Sequence, residues 1–588
     1  MNKHQFQKNI ILEAIKNKVK NSKEMDKIVR KNSEKFKMPF PSKIDLLETY
    51  RQLIKKKEIS PNRSSTLSEK ALDKNLEEIL MTKKMRSLSG VTVVAILTKP
   101  YPCPHNCAYC PTEKNIPKSY LSNEPAVMRA IICNFDPAKQ IKNRLTALKK
   151  MGHPTDKIEL IIIGGTFSSL PSIYQKSFIK KCFETCNNKK SKTLEQAQRI
   201  NEKAKHRIVG LSVETRPDHI NKKEIKKLRN LGVTKIEIGV QSLSDKILKL
   251  NNRGHGVSET IQATKLLKDA GFKINYHLMP NLPGSNLKID KEMFKRIFKD
   301  ENFQPDMLKI YPCMVTKGAK IYQWHKQKKY KPYSDKILIN LLAEIKKDIP
   351  CYVRIVRVIR DIPATSIVAG SKISNLREII AKEMKKRGWQ CQCVRCREVK
   401  GFYNLKKKIN PAFARKSWVK LFRQDYSASG GKEIFLSWED SKREKIYAFL
   451  RLRIPSQIFT PLEIIHSRNS SRLNHNLKTT SAPINPEQKF LIGFSNEKYF
   501  IKALRNAAII REIHTYGFSV PVGNKIKIAP QHQGLGKKMV QEAERIVCDE
   551  FKKYGIKKIA VISGIGVRGY WRKLGYRLKD TYMVKNLK

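Results

Sequence analysis

Between about residues 90 and 360 the chain alternates short β-rich apolar runs with stretches of helical spacing, and few folds accommodate that alternation. The runs are VTVVAIL (91–97), KIELIIIGG (157–165), RIVGLSVE (207–214), KIEIGVQ (235–241), KINYHLMP (273–280), MLKIYP (307–312) and YVRIVRVI (352–359). Helical patterns such as NKKEIKKLRNLG (221–232) and VSETIQATKLLKDAGF (257–272) lie between them. Repetition of this kind predicts parallel strands joined by crossover helices, a barrel or part barrel. In such folds chemistry gathers at the C-terminal ends of the strands.

The flanking regions read differently. Residues 1–85 predict basic amphipathic helices, broken at KMPFPSK (37–43). Residues 86–360 form the part barrel, and 361–400 a junction with its own cysteines. Residues 401–588 change to antiparallel-type strands, including GGKEIFLSWED (430–440) and KIYAFLRLRI (445–454), with a long polar loop at 466–489 and a further strand at KIKIAP (525–530). The expected class is α/β followed by α+β.

Lys and Arg total 119 against 52 Asp and Glu, a net charge of +67 that exceeds what solubility needs. Such an excess fits either a generally Lys-rich composition or a polyanionic partner, nucleic acid first, and its even spread along the chain does not decide between them. No run of about 18 apolar residues occurs, so no membrane span is expected. The N-terminus lacks a signal-peptide pattern, which predicts a cytoplasmic protein. In a reducing compartment cysteines bind metal or do chemistry more often than they form disulfides.

Their spacing is the informative part. Residues 103–110 read CPHNCAYC, placing Cys103, Cys107 and Cys110 in one short loop after a strand. Three thiolates can hold a four-iron cluster and leave one iron open to a ligand. A zinc site would need a fourth ligand, for which His105 is awkwardly placed. The C-x3-C-x2-C spacing resembles the signature of radical S-adenosylmethionine enzymes. That resemblance implies a 4Fe-4S cluster and S-adenosylmethionine. Gly164, Gly165 and Thr166 resemble that family's glycine turn against the methionine moiety. Glu214, Arg216 and Gln241 also close strands, where cofactor contacts are expected.

Near the other end, QHQGLG (531–536) stands between a strand and a helix, and GYWRKLGY (569–576) follows the next strand. Gly534 and Gly536 let backbone N–H groups at a helix start approach a pyrophosphate. The order resembles the acyl-CoA site of the GCN5-related N-acetyltransferase fold. In that fold an aromatic hydroxyl after the next strand often protonates the departing thiolate, which makes Tyr570 the catalytic candidate.

Both halves together resemble one family. CPHNCAYCP, EPAVMRAI (124–131), IIIGGTFSSLP (161–171), VETRPDHI (213–220), IEIGVQS (236–242), NRGHG (252–256), MPNLPG (279–284), REIHTYG (511–517), QHQGLGKKMVQEAERI (531–546), AVISGIGVRGYWRKLGYR (560–577) and YMVKNLK (582–588) are similar to the catalytic subunit of the elongator complex, the tRNA carboxymethyluridine synthases. The resemblance implies a tRNA substrate, acetyl-CoA as carbon donor, an electron donor, and formation of 5-carboxymethyluridine at the wobble uridine by radical chemistry. Other elongator-type subunits are compatible with it but not required. By position it carries over Lys157 as an acetyl-CoA contact, Glu512, Ile513, His514 and Thr515 as the acetyl-CoA strand, and Gln531, Leu535, Gly536 and Lys537 around the pyrophosphate turn. Two departures stand out. Trp571, carried over by position as a cofactor contact, replaces the second of two adjacent family tyrosines and cannot donate a phenolic proton, and the 466–489 loop is longer than usual.

The junction carries CQCVRC, with Cys391, Cys393 and Cys396 inside six residues. This suits a thiolate-rich structural zinc site. Cys313 is the expected fourth ligand and Cys351 the alternative. Cys133, Cys182, Cys186 and Cys548 fall on helical patterns and read as core. Two rival readings remain at this level. One is a protein lysine acetyltransferase with a structural iron–sulfur cluster. The other is an RNA-binding scaffold without turnover.

Overall fold

The computed structural model describes residues 2–59, 76–82, 89–399, 419–459, 500–517 and 534–587. The expected strand KIKIAP, the 466–489 loop and Gln531 lie outside these residues.

Three helices open the chain: α1 (Lys3–Lys16), α2 (Ser22–Phe36) and α3 (Lys43–Lys55). Each begins at a side-chain cap, Asn2, Asn21 and Ser42, whose oxygen accepts from the first turn. Phe6, Ile10, Ile11, Met25, Leu46, Tyr50 and Leu53 close on one another as a small core of their own. Arg51 ties this unit to the rest, pairing with Glu77 at 2.5 Å and donating to the Lys149 carbonyl at 2.8 Å.

Seven parallel strands follow: β1 (Thr92–Leu97), β2 (Lys157–Ile163), β3 (Arg207–Thr215), β4 (Lys235–Gln241), β5 (Lys273–Leu278), β6 (Met307–Ile310) and β7 (Arg354–Arg357). They pair in chain order, each with the next. Right-handed crossovers without a switch of direction curl such a sheet into a part barrel, here open between β1 and β7. Each strand falls on one of the apolar runs read from the sequence, β3 running one residue past its run to Thr215. Ile158, Leu160 and Ile162 on β2, and Ile236 and Ile238 on β4, pack outward under the helices.

The second sheet holds β8 (Val419–Ala428), β9 (Gly431–Asp440), β10 (Ile446–Ile454), β11 (Ala507–Thr515), β12 (Lys558–Val561), β13 (Arg577–Lys579) and β14 (Tyr582–Asn586). Its order is β13-β14-β12-β11-β10-β9-β8. Every pairing is antiparallel except β11 with β12. That parallel pair runs only from Ala507↔Lys558 to Ile510↔Val561, whereas β10 accompanies β11 as far as Thr515. Beyond Ile510 the β11–β12 pairing stops, and among the described residues no strand pairs with the β12-facing edge of β11 from Arg511 onward.

This sheet docks on the N-terminal end of the part barrel. Arg511 of β11 reaches Asp306, just before β6, with Nη1 to Oδ2 at 2.9 Å and a second bond from Nη2 to Oδ1. Arg453 binds Asp269 and Glu433, and Arg451 binds Glu512 at 3.0 Å. Burial alone would raise the Asp306 carboxyl; Arg511, Lys268 and Arg451 outweigh it and hold the group far below the usual carboxylate range.

The loop after β12 seals the same seam. A Cβ on Gly564 would stand 2.0 Å from the Val209 carbonyl oxygen, so only glycine fits against this backbone. Gly564→Ala is therefore expected to destabilise the protein by about 1–3 kcal/mol. Gly569→Ala, where nothing lies within 4 Å, is expected to be neutral or to stabilise by up to about 1 kcal/mol. Thermal melting of the two variants checks the pair.

Candidate active chamber

Residues from both sheets line one cavity of about 910 Å³. At one end stand Cys103, Cys107 and Cys110, on the loop that leaves the C-terminal end of β1. That loop is pinned by backbone bonds from Ala108 N to Asn251 O and from Ile321 N to Ala108 O. Arg253 Nη1 sits 3.6 Å from Cys107 Sγ. Burial and the neighbouring Cys107 push the Cys110 thiol up to about 11. Among the described residues, ligand atoms converge within 4.8 Å of one another at Cys391, Cys393 and Cys396, at His105, Asp218 and His219, and at Glu214, Glu237 and His277.

The expected strand-end residues surround these sulfurs. Gly164 and Gly165 take φ of +131° and +93°, and a Cβ on Gly164 would meet Thr98 Oγ1 at 2.3 Å. Glu214 accepts from Tyr120 Oη at 2.8 Å and from Gly164 N at 3.4 Å. Arg216 binds Asp218 and the Arg253 carbonyl. Gln241 holds a left-handed φ of +69° at the end of β4, a strained conformation of the kind stored at functional sites. Gln241 Oε1, Arg216 Nη1, Arg253 Nε and Thr316 Oγ1 are buried with no protein hydrogen-bond partner. Buried polar atoms seldom stay unpaired, so these four, all on residues lining the chamber, are unmet demands a polar ligand would satisfy.

The middle of the chamber is ionic. Glu237 is bonded by Lys309 and by His277 Nε2 at 3.0 Å; Lys235 reaches Glu159 at 2.5 Å; Lys273 reaches Glu512 at 3.3 Å. Burial works to raise the Glu159 carboxyl, and Lys235 and Lys273 overcome it, bringing it down to about 2.

At the far end, β11 presents Glu512, His514 and Tyr516 to the chamber. Side chains alternate along a strand, so Ile513 and Thr515 face the other way. A Cβ on Gly536 would lie 3.2 Å from Tyr570 Oη, 3.7 Å from Thr515 Oγ1 and 3.8 Å from Ile513 Cδ1. Gly534, at φ +75°, caps the helix Leu535–Ile546, and Lys537 is exposed in its first turn. One strand thus borders the chamber on one face and a cleft at a helix N-terminus on the other.

The Radical SAM superfamily profile matches residues 101–297, and its C-terminal domain profile matches 305–386. The tRNA uridine(34) acetyltransferase of Methanocaldococcus infernus is 46% identical over 87% of this chain and 89% of that protein. That of Dehalococcoides mccartyi is 43% identical over 86% of this chain and 100% of that protein. Human Elongator complex protein 3 is 37% identical over 87% and 86%. The chain belongs to this elongator catalytic-subunit family. A solved structure, the archaeal M. infernus Elp3 with N-terminus deletion (1-46), superposes with a TM-score of 0.67 at 43% identity, covering 85% of this chain and all of that one. The radical SAM domain implies S-adenosylmethionine and a four-iron cluster. No helix among the described residues is long and apolar enough to cross a membrane.

Three of the expected contacts stand apart from the chamber. Trp571 is buried at 2% exposure in the core of the second sheet, edge-on to Tyr576, while Tyr570 is 39% exposed beside the cleft. Neighbours on the helix Arg568–Lys573 point about 100° apart, so only one of them can face a ligand. Lys157 opens β2, at the strand end remote from the cysteines, next to Arg207. It does not line the chamber. Cys313 does not join the junction cysteines. It follows the C-terminal end of β6 and is buried with Ala108, Ile247 and Tyr330. Val394 N bonds Val353 O at the opposite, N-terminal end of β7, so the two lie at different ends of a parallel sheet. Cys351, the alternative, donates to Gln424 Oε1 at 2.7 Å. Beside the trio stands Lys346, with Nζ 3.2 Å from Cys391 Sγ and 3.5 Å from Cys396 Sγ.

The interior ions were missed by sequence reasoning. Their signal was present: ionisable residues fall two apart in KIEL (157–160) and KIEI (235–238) and four apart in KINYH (273–277), positions that share one strand face.

Proposed function

We propose that this chain converts the wobble uridine of tRNA to 5-carboxymethyluridine, taking the carbon unit from acetyl-CoA. The observation that carries the reading is that the Cys103 loop and β11 line a single chamber. Cys103, Cys107 and Cys110 would hold the cluster, with Gly164, Gly165, Thr166, Glu214, Arg216 and Gln241 around S-adenosylmethionine. When bound, that pair supplies a 5′-deoxyadenosyl radical able to take hydrogen from the acetyl methyl group. The part-barrel walls exclude water from such a species, and the four unpaired polar atoms at the cysteine end give its precursor partners.

The edge of β11 from Arg511 to Thr515, unpaired on its β12 side among the described residues, would offer backbone groups to pantetheine, and the helix start at Leu535–Lys537 would offer N–H groups to the pyrophosphate. Tyr570, whose Oη lies beside Gly536, would protonate the departing thiolate; burial raises its phenol, so it carries its proton at neutral pH. The net charge of +67 supports an RNA partner, and a low-potential electron donor completes the reaction. Cys391, Cys393 and Cys396 converge closely enough for a structural zinc, with the fourth ligand not supplied by Cys313.

Mass spectrometry of tRNA nucleosides tests the reading, after anaerobic incubation with S-adenosylmethionine, acetyl-CoA and a reductant. The modified uridine is expected, and its absence from Cys103→Ser enzyme. Acetyl transfer to a protein lysine that survives Cys103→Ser, with tRNA unchanged in the wild type, would replace the proposal with a protein acetyltransferase.

A further inference from the structure

Carboxymethyluridine is a free acid, so the thioester must be hydrolysed after the carbon–carbon bond forms, and a water must lose a proton there. Most basic groups lining the chamber are committed. Glu512 is held by Arg451 at 3.0 Å and by Lys273 at 3.3 Å. Glu237 is held by Lys309 and His277, Glu159 by Lys235, and Glu214 by Tyr120.

His514 is different. Its Nε2 lies 2.7 Å from the carbonyl oxygen of Ser89. A carbonyl only accepts, so Nε2 carries the hydrogen, and the lone pair of the neutral ring is at Nδ1. Phe449 lies parallel to the ring at 8° and Tyr516 packs against it with centroids 4.4 Å apart, which fixes its plane. The charged groups that bear on it are Glu512, Arg354 and Lys273. Burial lowers the imidazole, Arg354 and Lys273 assist, and the Ser89 carbonyl and Glu512 oppose without prevailing, so the ring is neutral near pH 7. It lines the chamber on the stretch of β11 beyond its pairing with β12, where no other strand among the described residues pairs on that side.

Resting on the proposed acetyl-CoA chemistry, we propose that His514 is the general base that activates water on the thioester. The water oxygen bonds to the acyl carbon, its proton passes to Nδ1, and the carbon–sulfur bond breaks with its electron pair on sulfur. The thiolate takes a proton from Tyr570, which His514 restores through solvent. The products are a carboxylate, the free thiol and one proton released to solvent, with no change of oxidation state. Sequence matching offered this residue only as part of a backbone contact.

The decisive variant is His514→Gln, whose amide N–H reaches the place of Nε2 and keeps the bond to Ser89 while supplying no base. The expected result is a fall of about 10²–10⁴-fold in tRNA-stimulated release of coenzyme A. Acetyl-CoA affinity, by calorimetry, is expected within about threefold of wild type, and tRNA carrying an intact coenzyme A thioester is expected to accumulate. Wild-type release should decline on acidification through a pKa below 6.5. Unchanged release in His514→Gln, or wild-type release that rises on acidification, overturns the assignment. Loss of acetyl-CoA affinity equal to the loss of rate also overturns it, since His514 would then be a binding residue. A wild-type enzyme that releases no coenzyme A with tRNA overturns the proposed function itself.

Discussion

Cys107→Ser enzyme, purified without oxygen, is expected to lose the brown iron–sulfur absorbance and to fall by more than about 10³-fold in forming 5-carboxymethyluridine. Cys107 is the buried member of its trio, with Arg253 Nη1 3.6 Å from its sulfur. A serine oxygen there is a hard, weakly acidic ligand in a site built for thiolate. The effect should be chemical rather than structural. The loop is held by backbone bonds of Ala108 to Asn251 and Ile321, which the substitution leaves intact. Cys182→Ser makes the contrast. That thiol is fully buried among Phe178, Ile179 and Phe183 on a helix, and burial pushes it up, so it is packing rather than a ligand. Cys182→Ser is expected to retain the absorbance and to lower the melting temperature. Ultraviolet–visible spectra and melting curves of the two proteins separate the cases. Retention of the cluster by Cys107→Ser would remove this loop from the account.

The second large effect concerns the seam between the sheets. Arg511→Met is expected to destabilise the protein by roughly 3–5 kcal/mol, read from urea or thermal unfolding. Arg511 is fully buried and satisfies Asp306 on both oxygens, Glu433 at 3.1 Å and the Phe272 carbonyl at 2.6 Å. Methionine replaces its volume but leaves two buried carboxylates short of a cation. The Asp306 carboxyl is held far down by Arg511 first among its cations, so the stabilisation belongs to pH above the unfolded aspartate range and is lost as pH falls. Arg511→Met should therefore show a shallower acid limb than wild type. Equal stability of the two proteins at pH 7 would mean that water or Lys268 already serves Asp306.

The sequence made the part barrel legible because its strands are buried and parallel, and continuous apolar runs such as LIIIGG (160–165) have few other uses. The Cys103 loop was legible because its three ligands are local in sequence. What escaped was non-local. Nothing in 305–313 says that Asp306 faces Arg511 across a sheet boundary, or that Cys313 points away from Cys391. Both depend on which end of a parallel strand a residue occupies. The pair Tyr570 and Trp571 was ambiguous for a related reason: two adjacent aromatics look alike in a string, and only the helix turn puts one at the surface and the other in the core. The role of His514 was invisible until Ser89, 425 residues away, fixed its tautomer.

Acetyl-CoA deuterated in its methyl group gives the most direct measurement. The account predicts that, in the presence of tRNA, one deuterium appears in 5′-deoxyadenosine and two remain in the carboxymethyl group of the nucleoside. Label-free 5′-deoxyadenosine alongside fully formed 5-carboxymethyluridine would contradict it.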